Sequence, residues 1–260
     1  MLVFIVPLKS RRVSKSWERV CQLFERCARS ICQQSSPDFQ VVVVCHDRPE
    51  IAFASPRLHY LEVDFPLVKE TDPVVRGLTD KGRKVLAGLV YARDRFSPDY
   101  AMTVDADDLV SSRLAEFVRD RQETGWYVDR GYKYRESAPV VHYKGSHFYR
   151  LSGTCNILHF NHLALPEYPE YNRGYGHYKF LIDHQKVKAI MADQGQPMKA
   201  LPFPGSVYVL GTGDNMSANE NKLFFSLLSR RPLTQKLRDE FGLYDLVEAP
   251  MTPQYQSNPV

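Results

Sequence analysis

The sequence predicts an α/β protein: a mixed, mostly parallel sheet flanked by helices, with a small antiparallel extension and helices towards the C-terminus. Three observations predict it. An apolar strand, an amphipathic helix and a second apolar strand follow one another by Cys45, the β-α-β unit from which parallel sheets are built. The second strand holds four consecutive valines, Val41 to Val44, the mark of a strand buried on both faces. A later apolar run, Tyr100 to Val104, ends in three carboxylates, Asp105, Asp107 and Asp108.

Taken in order, Leu2–Val6 is the opening strand, stopped by Pro7 and followed by the polar loop Lys9-Ser10-Arg11-Arg12. Trp17, Val20, Cys21, Phe24, Ala28 and Ile31 recur at helical spacing, so a helix begins after Ser14 or Ser16 and runs to about Gln34. The second strand, Gln40–Cys45, ends in His46-Asp47-Arg48-Pro49, and Arg57–Val63 is a third, shorter strand. The polar run Thr79 to Lys84 then leads into a helix with Val85, Leu86, Leu89, Val90 and Phe96 on one face. Pro98-Asp99 turns the chain into the acidic strand.

Three carboxylates this close repel one another and raise one another's pKa unless something positive sits among them. Hard oxygen ligands are what Mg²⁺ or Mn²⁺ prefers. In open α/β sheets ligands bind beyond the carboxyl ends of the strands, so the edge gathers Pro7–Arg12, His46–Asp47 and Asp105–Asp108, with Lys81–Lys84 close by. Basic loops, a lone aspartate and a metal site together suit a nucleoside diphosphate. The competing reading is an acidic strand-to-helix turn in which Asp108 or Ser111 caps a helix over Arg113–Gln122. There is no Walker A sequence and no strand-linked GxGxxG, which argues against ATPase and dinucleotide folds.

The composition narrows the classes. A chain of 260 residues with 43% hydrophobic and 25% charged residues is that of an ordinary globular protein with a sizeable core. The net charge of +4 is spread over Lys9–Arg12, Lys81–Lys84 and Arg230–Arg231, a mild attraction for phosphate and a poor footprint for nucleic acid. The five cysteines show no CxxC or Cys/His spacing, so they are expected as reduced packing residues of a cytosolic protein. Met1–Leu8 is too short for a signal peptide and no apolar run approaches the length of a membrane span; peripheral contact with an anionic surface is left open.

The stretch from Asp80-Lys81-Gly82-Arg83-Lys84 through Ala92-Arg93 to Thr103-Val104-Asp105-Ala106-Asp107-Asp108 resembles nucleotide-sugar-dependent glycosyltransferases of the GT-A (Rossmann-like) fold, nearest to the family-2-like group. It is similar to that family's basic helix followed by a "DADD" form of the DxD motif, and the resemblance spans about Met1–Ser217. What it implies is a nucleoside-diphosphate sugar donor, a carbohydrate or other hydroxyl acceptor, and Mn²⁺ or Mg²⁺. By the same resemblance Asp105 contacts the ribose and joins Asp107, which holds the metal on the diphosphate, as a candidate metal ligand; Pro7 and Asp47 frame the base, and Arg83 approaches the nucleotide. Lys9 and Arg11 join them on the donor side.

Beyond the acids, Trp126–Tyr134, Pro139–Tyr143 and His147–Leu151 read as short strands of an antiparallel extension. Ser152-Gly153-Thr154-Cys155-Asn156 resembles the turn beside the family's acceptor pocket, which places Gly153 and Thr154, with Asp108, on the acceptor side. After the polar, aromatic loop Pro166–Tyr178, a helix is expected from about Leu181 to Asp193. Where the family carries a catalytic Glu-Asp, this chain has Asp183-His184; either side chain is able to accept the acceptor's proton, and Asp183 is the favoured base, with a helix cap as its alternative role. His142, His147, His159, His162 and His177 lack ligand spacing and are expected in isolated structural or surface roles.

Leu201–Pro204 and Val207–Leu210 read as a terminal strand or hairpin, followed by Gly211-Thr212-Gly213-Asp214-Asn215-Met216-Ser217. The family's loop here usually carries a histidine near the metal; this chain has none, and Asp214 is the candidate replacement. The organisation expected is a catalytic domain over 1–217, divided into a nucleotide half (1–110) and an acceptor half (111–217), a helical appendage over 218–248 with helices at Leu223–Leu228 and Thr234–Phe241, and a loose tail over 249–260. Two other functions stay open: a DxD phosphohydrolase with Asp105 as nucleophile, and a non-catalytic sugar- or nucleotide-binding module on the same scaffold.

Overall fold

The computed structural model describes residues 1–212, 227–244 and 246. Strand β1 (Leu2–Pro7) leads to helix α1 (Trp17–Cys32), which starts where the Ser16 side chain accepts from the backbone N–H of Arg19 at 3.2 Å. Strands β2 (Phe39–Cys45) and β3 (Leu58–Glu62) follow, and β1 pairs with β2, and β2 with β3, in parallel. Helix α2 (Pro73–Phe96) then returns the chain to β4 (Tyr100–Thr103), parallel to β1 on its other side. The sheet is buried on both faces by the alternation of its strands: Phe4, Val6, Val41, Val43 and Cys45 pack under α1, while Ile5, Val42, Val44 and Ala101 pack under α2.

Helix α2 begins a turn and a half before the expected Thr79–Lys84 run, because Asp72 caps it (Oδ1 accepts from Val74 N at 2.7 Å) and Pro73 opens its first turn. The basic run therefore lies inside the helix and is split between its faces. On one of those faces a Cβ at Gly82 would stand 2.3 Å from Cβ of Tyr178, so only glycine lets α4 (Tyr175–Ile182) lie this close.

The second half departs from expectation in connectivity. After β5 (Leu109–Val110), helix α3 (Leu114–Val118) is only five residues long, and its first residues carry no side-chain cap from Asp108; Ser111 Oγ accepts weakly from Arg113 N at 3.3 Å. Strand β6 (Gly125–Tyr127) joins the main sheet through β9 (Asn156–His159), whereas β7 (Gly131–Arg135) and β8 (Val140–Lys144) form a second sheet. His147–Leu151 is a single 3₁₀ turn over Phe148–Arg150 instead of a strand, entered through His147 at φ +57°. Of the strand or hairpin expected over Leu201–Pro204 and Val207–Leu210, the first part is irregular and follows a two-residue strand, β10 (Lys199–Ala200), parallel to β6, whereas the second part lies in β11 (Ser206–Leu210), between β7 and β5. The helix expected over Leu181–Asp193 begins earlier, as α4, and is interrupted at Asp183 before α5 (His184–Asp193).

Residues 230–232 form β12 (Arg230–Pro232), antiparallel to β8, followed by α6 (Gln235–Phe241), whose Phe241 packs with Leu243, Leu109, Tyr134 and Val209. What was expected as a helical appendage thus contributes a strand and core residues to the second sheet. The orders are β10-β6-β9-β4-β1-β2-β3 and β12-β8-β7-β11-β5. The expected helix at Leu223–Leu228 falls mostly outside the described residues, which hold a 3₁₀ turn at Leu227–Ser229. The tail over 249–260 lies outside them altogether. No helix among the described residues is long and apolar enough to cross a membrane, and all five cysteines are free thiols, four of them buried.

Candidate active site

The carboxyl ends of β1, β2 and β4 converge as the sequence predicts, and each brings its own loop. Pro7 is the last residue of β1. The next residues are held down from below: Lys84, wholly buried in α2, donates from Nζ to the carbonyl of Leu8 and to Asp80 Oδ2, both at 2.7 Å. Ser10 is buried and donates to Asp47 Oδ2 at 2.8 Å, and Arg11 N donates to the same oxygen at 2.9 Å. Burial raises the Asp47 pKa, but these bonds, with Arg12 and His46 nearby, outweigh it and leave the group below its usual value. Lys9 stands beside this loop, half-buried, and the Arg11 guanidinium is exposed and 3.9 Å from Glu50.

At the end of β4 the acids divide into three roles. Asp105 is paired with Lys81, whose ammonium donates to Oδ1. Burial alone would lower the Lys81 pKa; Asp105, with Asp108 and Asp107 behind it, raises it on balance. Asp107 makes no ion pair among the described residues. Its one side-chain partner there is Thr212, donating from Oγ1 to Oδ2 at 3.2 Å, and burial followed by the charge of Asp105 pushes its pKa up to about 6. Asp108 is fully buried: Oδ2 accepts from Ser152 Oγ at 2.6 Å and Thr154 Oγ1 at 2.8 Å, and Oδ1 accepts from Val209 N at 3.2 Å. It was expected on the acceptor side, but it reaches no open surface and ties β4 to the Ser152–Thr154 turn and to β11.

That turn closes on Asp105. Thr154 Oγ1 also accepts from Asp105 N at 3.0 Å, and a Cβ at Gly153 would stand 2.7 Å from Asp105 Oδ2 and 2.8 Å from Lys81 Nζ. Position 153 is glycine because the ion pair occupies the space of a side chain.

Arg83, expected at the nucleotide, donates instead to the carbonyl of Pro66 at 3.0 Å. The reason is helical phase: with α2 beginning at Pro73, Lys81 and Lys84 share the face towards the sheet edge, and Arg83 lies about 200° around from Lys81. Lys81 is a site residue that the sequence pattern does not single out; its i, i+3 spacing from Lys84, which puts both on one helix face, is the signal for it. Ser10, Ser152 and Thr212 had no distinguishing pattern.

Asp183 sits at the break between α4 and α5. Its side chain makes no helix cap; it is paired with Lys186 Nζ at 3.2 Å. His184, the first residue of α5, points its ring inwards, where burial and then the charge of Lys81 hold its pKa below the usual histidine value. Its Nε2 is buried with no hydrogen-bond partner, as is Oδ1 of Asn156. Asp214 lies outside the described residues.

Among the described residues no group of three or more His, Cys, Asp or Glu is arranged to hold a metal by itself. The donors present are hard oxygens, Asp107 lacks a cation and Asp105 already has one. That set fits a divalent ion drawing most of its ligands from a diphosphate and water, as Mg²⁺ commonly does.

No family model matches this chain, and no curated protein matches it. Among solved structures it is similar to S. aureus TarS 1-349, with 12% identity over 80% of this chain and 60% of that chain and a TM-score of 0.44. To the same TarS 1-349 in complex with UDP it shows 14% identity, the same coverages and a TM-score of 0.46. To S. aureus TarS it shows 14% identity over 80% of this chain and 36% of that one, with a TM-score of 0.42. The chain thus corresponds to about 60% of the first two structures' length.

Proposed function

We propose that this chain is a metal-dependent glycosyltransferase that binds a nucleoside-diphosphate sugar at the carboxyl edge of the sheet and passes the sugar to an acceptor hydroxyl. The observation that carries the reading is the division of labour at β4: a carboxylate already paired with Lys81, and beside it Asp107, which has no ion-pair partner among the described residues and is pushed up to about 6 by burial and by the charge of Asp105. A bound divalent ion would supply Lewis-acid stabilisation of the departing diphosphate. Asp107 would hold it, with Thr212 Oγ1 at its side, and Lys81 keeps Asp105 fixed towards the ribose. Asp47, held below its usual pKa, offers an ionised acceptor for base or ribose N–H and O–H groups.

On the acceptor side Asp183 serves as base, with the Lys186 ammonium 3.2 Å from its carboxylate. It takes the proton of the acceptor hydroxyl while that oxygen bonds to the anomeric carbon and the carbon–oxygen bond to the diphosphate breaks, leaving with its electron pair. A single displacement of this kind inverts the anomeric configuration; retention in the product, seen by proton NMR, rules it out.

The first test is thermal stabilisation by UDP, GDP and other nucleoside diphosphates, with and without Mn²⁺, on the wild type and Asp107→Ala. A ligand that binds only the native state raises its apparent stability. Metal-dependent stabilisation by one diphosphate, lost in the variant, is the expected result. The absence of any response removes the reading.

A further inference from the structure

Around the break between α4 and α5 the molecule gathers cations that the reaction above does not use. From Lys144 to Met191 the chain has six Lys and Arg residues against three Asp and Glu, whereas the whole chain is close to balance at 34 against 30, so the excess is local to this surface. Lys186 is paired with the candidate base Asp183, and the backbone carbonyl of Lys179 accepts from Asp183 N at 2.8 Å. Arg150, Lys179 and Lys188 form no ion pair among the described residues.

Packing brings two of these cations to one seam. Helix α5 lies against the 3₁₀ turn Phe148–Arg150, and Gln185 Nε2 donates to the carbonyl of Arg150 at 3.0 Å. Tyr149 is buried in the seam, edge-on to Tyr127 with ring centroids 5.3 Å apart. The Lys188 ammonium stands 4.2 Å from the Tyr127 centroid and 5.3 Å from that of Tyr149, and the Arg150 guanidinium 5.8 Å from that of Tyr149. The rings steady both side chains by cation–π attraction. Arg150 is exposed and Lys188 half-buried, so both reach solvent.

The seam adjoins the acceptor side. Lys188 is five residues beyond Asp183, roughly 8 Å along α5 at about 1.5 Å per residue. Arg150 is three residues before Gly153, which lies against the Asp105–Lys81 pair. Both cations sit on the elements that carry the candidate base and the Ser152–Thr154 turn, and neither sits on the loops after β1, β2 and β4 that face the donor. An arginine fork matches a phosphate or carboxylate with two parallel N–H bonds, and an ammonium adds a point charge. A neutral acceptor would gain nothing from the pair, and a cationic one would be repelled.

We propose that the acceptor is anionic, with its phosphate or carboxylate held by Arg150 and Lys188 beside the hydroxyl that Asp183 deprotonates. The inference rests on the glycosyltransferase reading and names the acceptor class for it. Arg150 and Lys188 are then the residues that determine specificity for the charged acceptor.

The test uses three probes that differ only at C6: methyl glucoside, which is neutral, methyl glucuronide, which carries a carboxylate, and methyl glucoside 6-phosphate. Binding is measured by calorimetry on the protein saturated with Mg²⁺ and the nucleoside diphosphate that stabilises it, so that the donor side is filled. The charged probes are expected to bind about tenfold more tightly than the neutral one, and the tighter of the two identifies the oxyanion. Arg150→Gln and Lys188→Met, which remove the charge and keep much of the stem, each reduce the preference, and together they abolish it with diphosphate affinity unchanged. Lys236→Gln, which removes one exposed charge on α6, leaves the preference intact.

Equal binding of the three probes overturns the proposal. A preference that survives the double variant, or that falls as much with Lys236→Gln, also overturns it and reduces the seam to general surface charge. Weaker diphosphate binding in Arg150→Gln or Lys188→Met assigns the cations to the donor and overturns it too. If no nucleoside diphosphate binds, the glycosyltransferase reading fails on that arm alone; the probes are then compared on the unliganded protein, where a preference lost in the double variant upholds the anion site.

Discussion

Two acidic corners stand at the same sheet edge and solve their electrostatics in opposite ways. At the end of β2, Asp47 is met by Ser10 and the backbone N–H of Arg11 and is held below its usual pKa. Beyond β4, the chain places Asp105, Asp107 and Asp108 together, and burial and mutual repulsion raise the pKa of the last two. The first corner is complete within the protein's own hydrogen bonds. The second is complete only where Lys81 and the Ser152–Thr154 turn reach it, at Asp105 and Asp108, so Asp107 is the carboxylate with no ion-pair partner among the described residues.

The sharpest way to break this comparison is to exchange the roles of neighbours. Asp108→Ala should cost roughly 3 kcal/mol in chemical denaturation, because Ser152, Thr154 and Val209 N lose a buried acceptor at once. Asp107→Asn should leave stability within about 0.5 kcal/mol, since it removes a repelled charge and strands no buried donor, yet it should lower transfer activity by about a hundredfold or more. Equal losses of stability in the two variants would erase the distinction between a structural and a metal-facing carboxylate. Gly153→Ala should fall between them: the new methyl would meet Asp105 Oδ2 at 2.7 Å and Lys81 Nζ at 2.8 Å, forcing the pair apart. Its expected mark is a donor KM raised about tenfold with Tm shifted by only a few degrees.

These contrasts also show why the sequence revealed one half of the molecule and obscured the other. Strands β1, β2 and β4 are read easily because parallel strands covered on both faces need unbroken apolar runs, and Val41–Val44 supplies one. Their carboxyl ends, and so Asp47, Asp105 and Asp107, follow from that register. Strands β5 to β12 are short, and pairings such as β11 with β7 or β12 with β8 are set by packing between distant segments, which periodicity does not encode. Within the site, Lys81 is hidden when Thr79–Lys84 is read as a polar run leading into the helix: once Asp72-Pro73 opens α2, phase alone turns Lys81 towards Asp105 and Arg83 away. The burial of Asp108 depends on Ser152 and Thr154, more than forty residues downstream, and no local pattern announces it.

The smallest effect separates the corners by pH. An acid whose folded-state pKa is raised binds its proton more tightly in the native state, so its contribution to stability declines as pH rises from the unfolded value to the folded one. For Asp107 that window runs from 3.8 to about 6. Asp47 has the opposite sign: its contribution is present above 3.8 and is lost as pH falls through its lowered folded value. The Tm of the metal-free protein should therefore carry a component that falls as pH rises across the Asp107 window. Asp107→Asn should remove that component, and Mn²⁺ with a bound diphosphate should reverse it, since the metal competes with the proton for the same oxygens. Asp47→Asn should leave it in place and act only at the acid end. If Asp47→Asn flattened the profile and Asp107→Asn did not, the unmet charge would belong to β2, and the metal would have to be sought there.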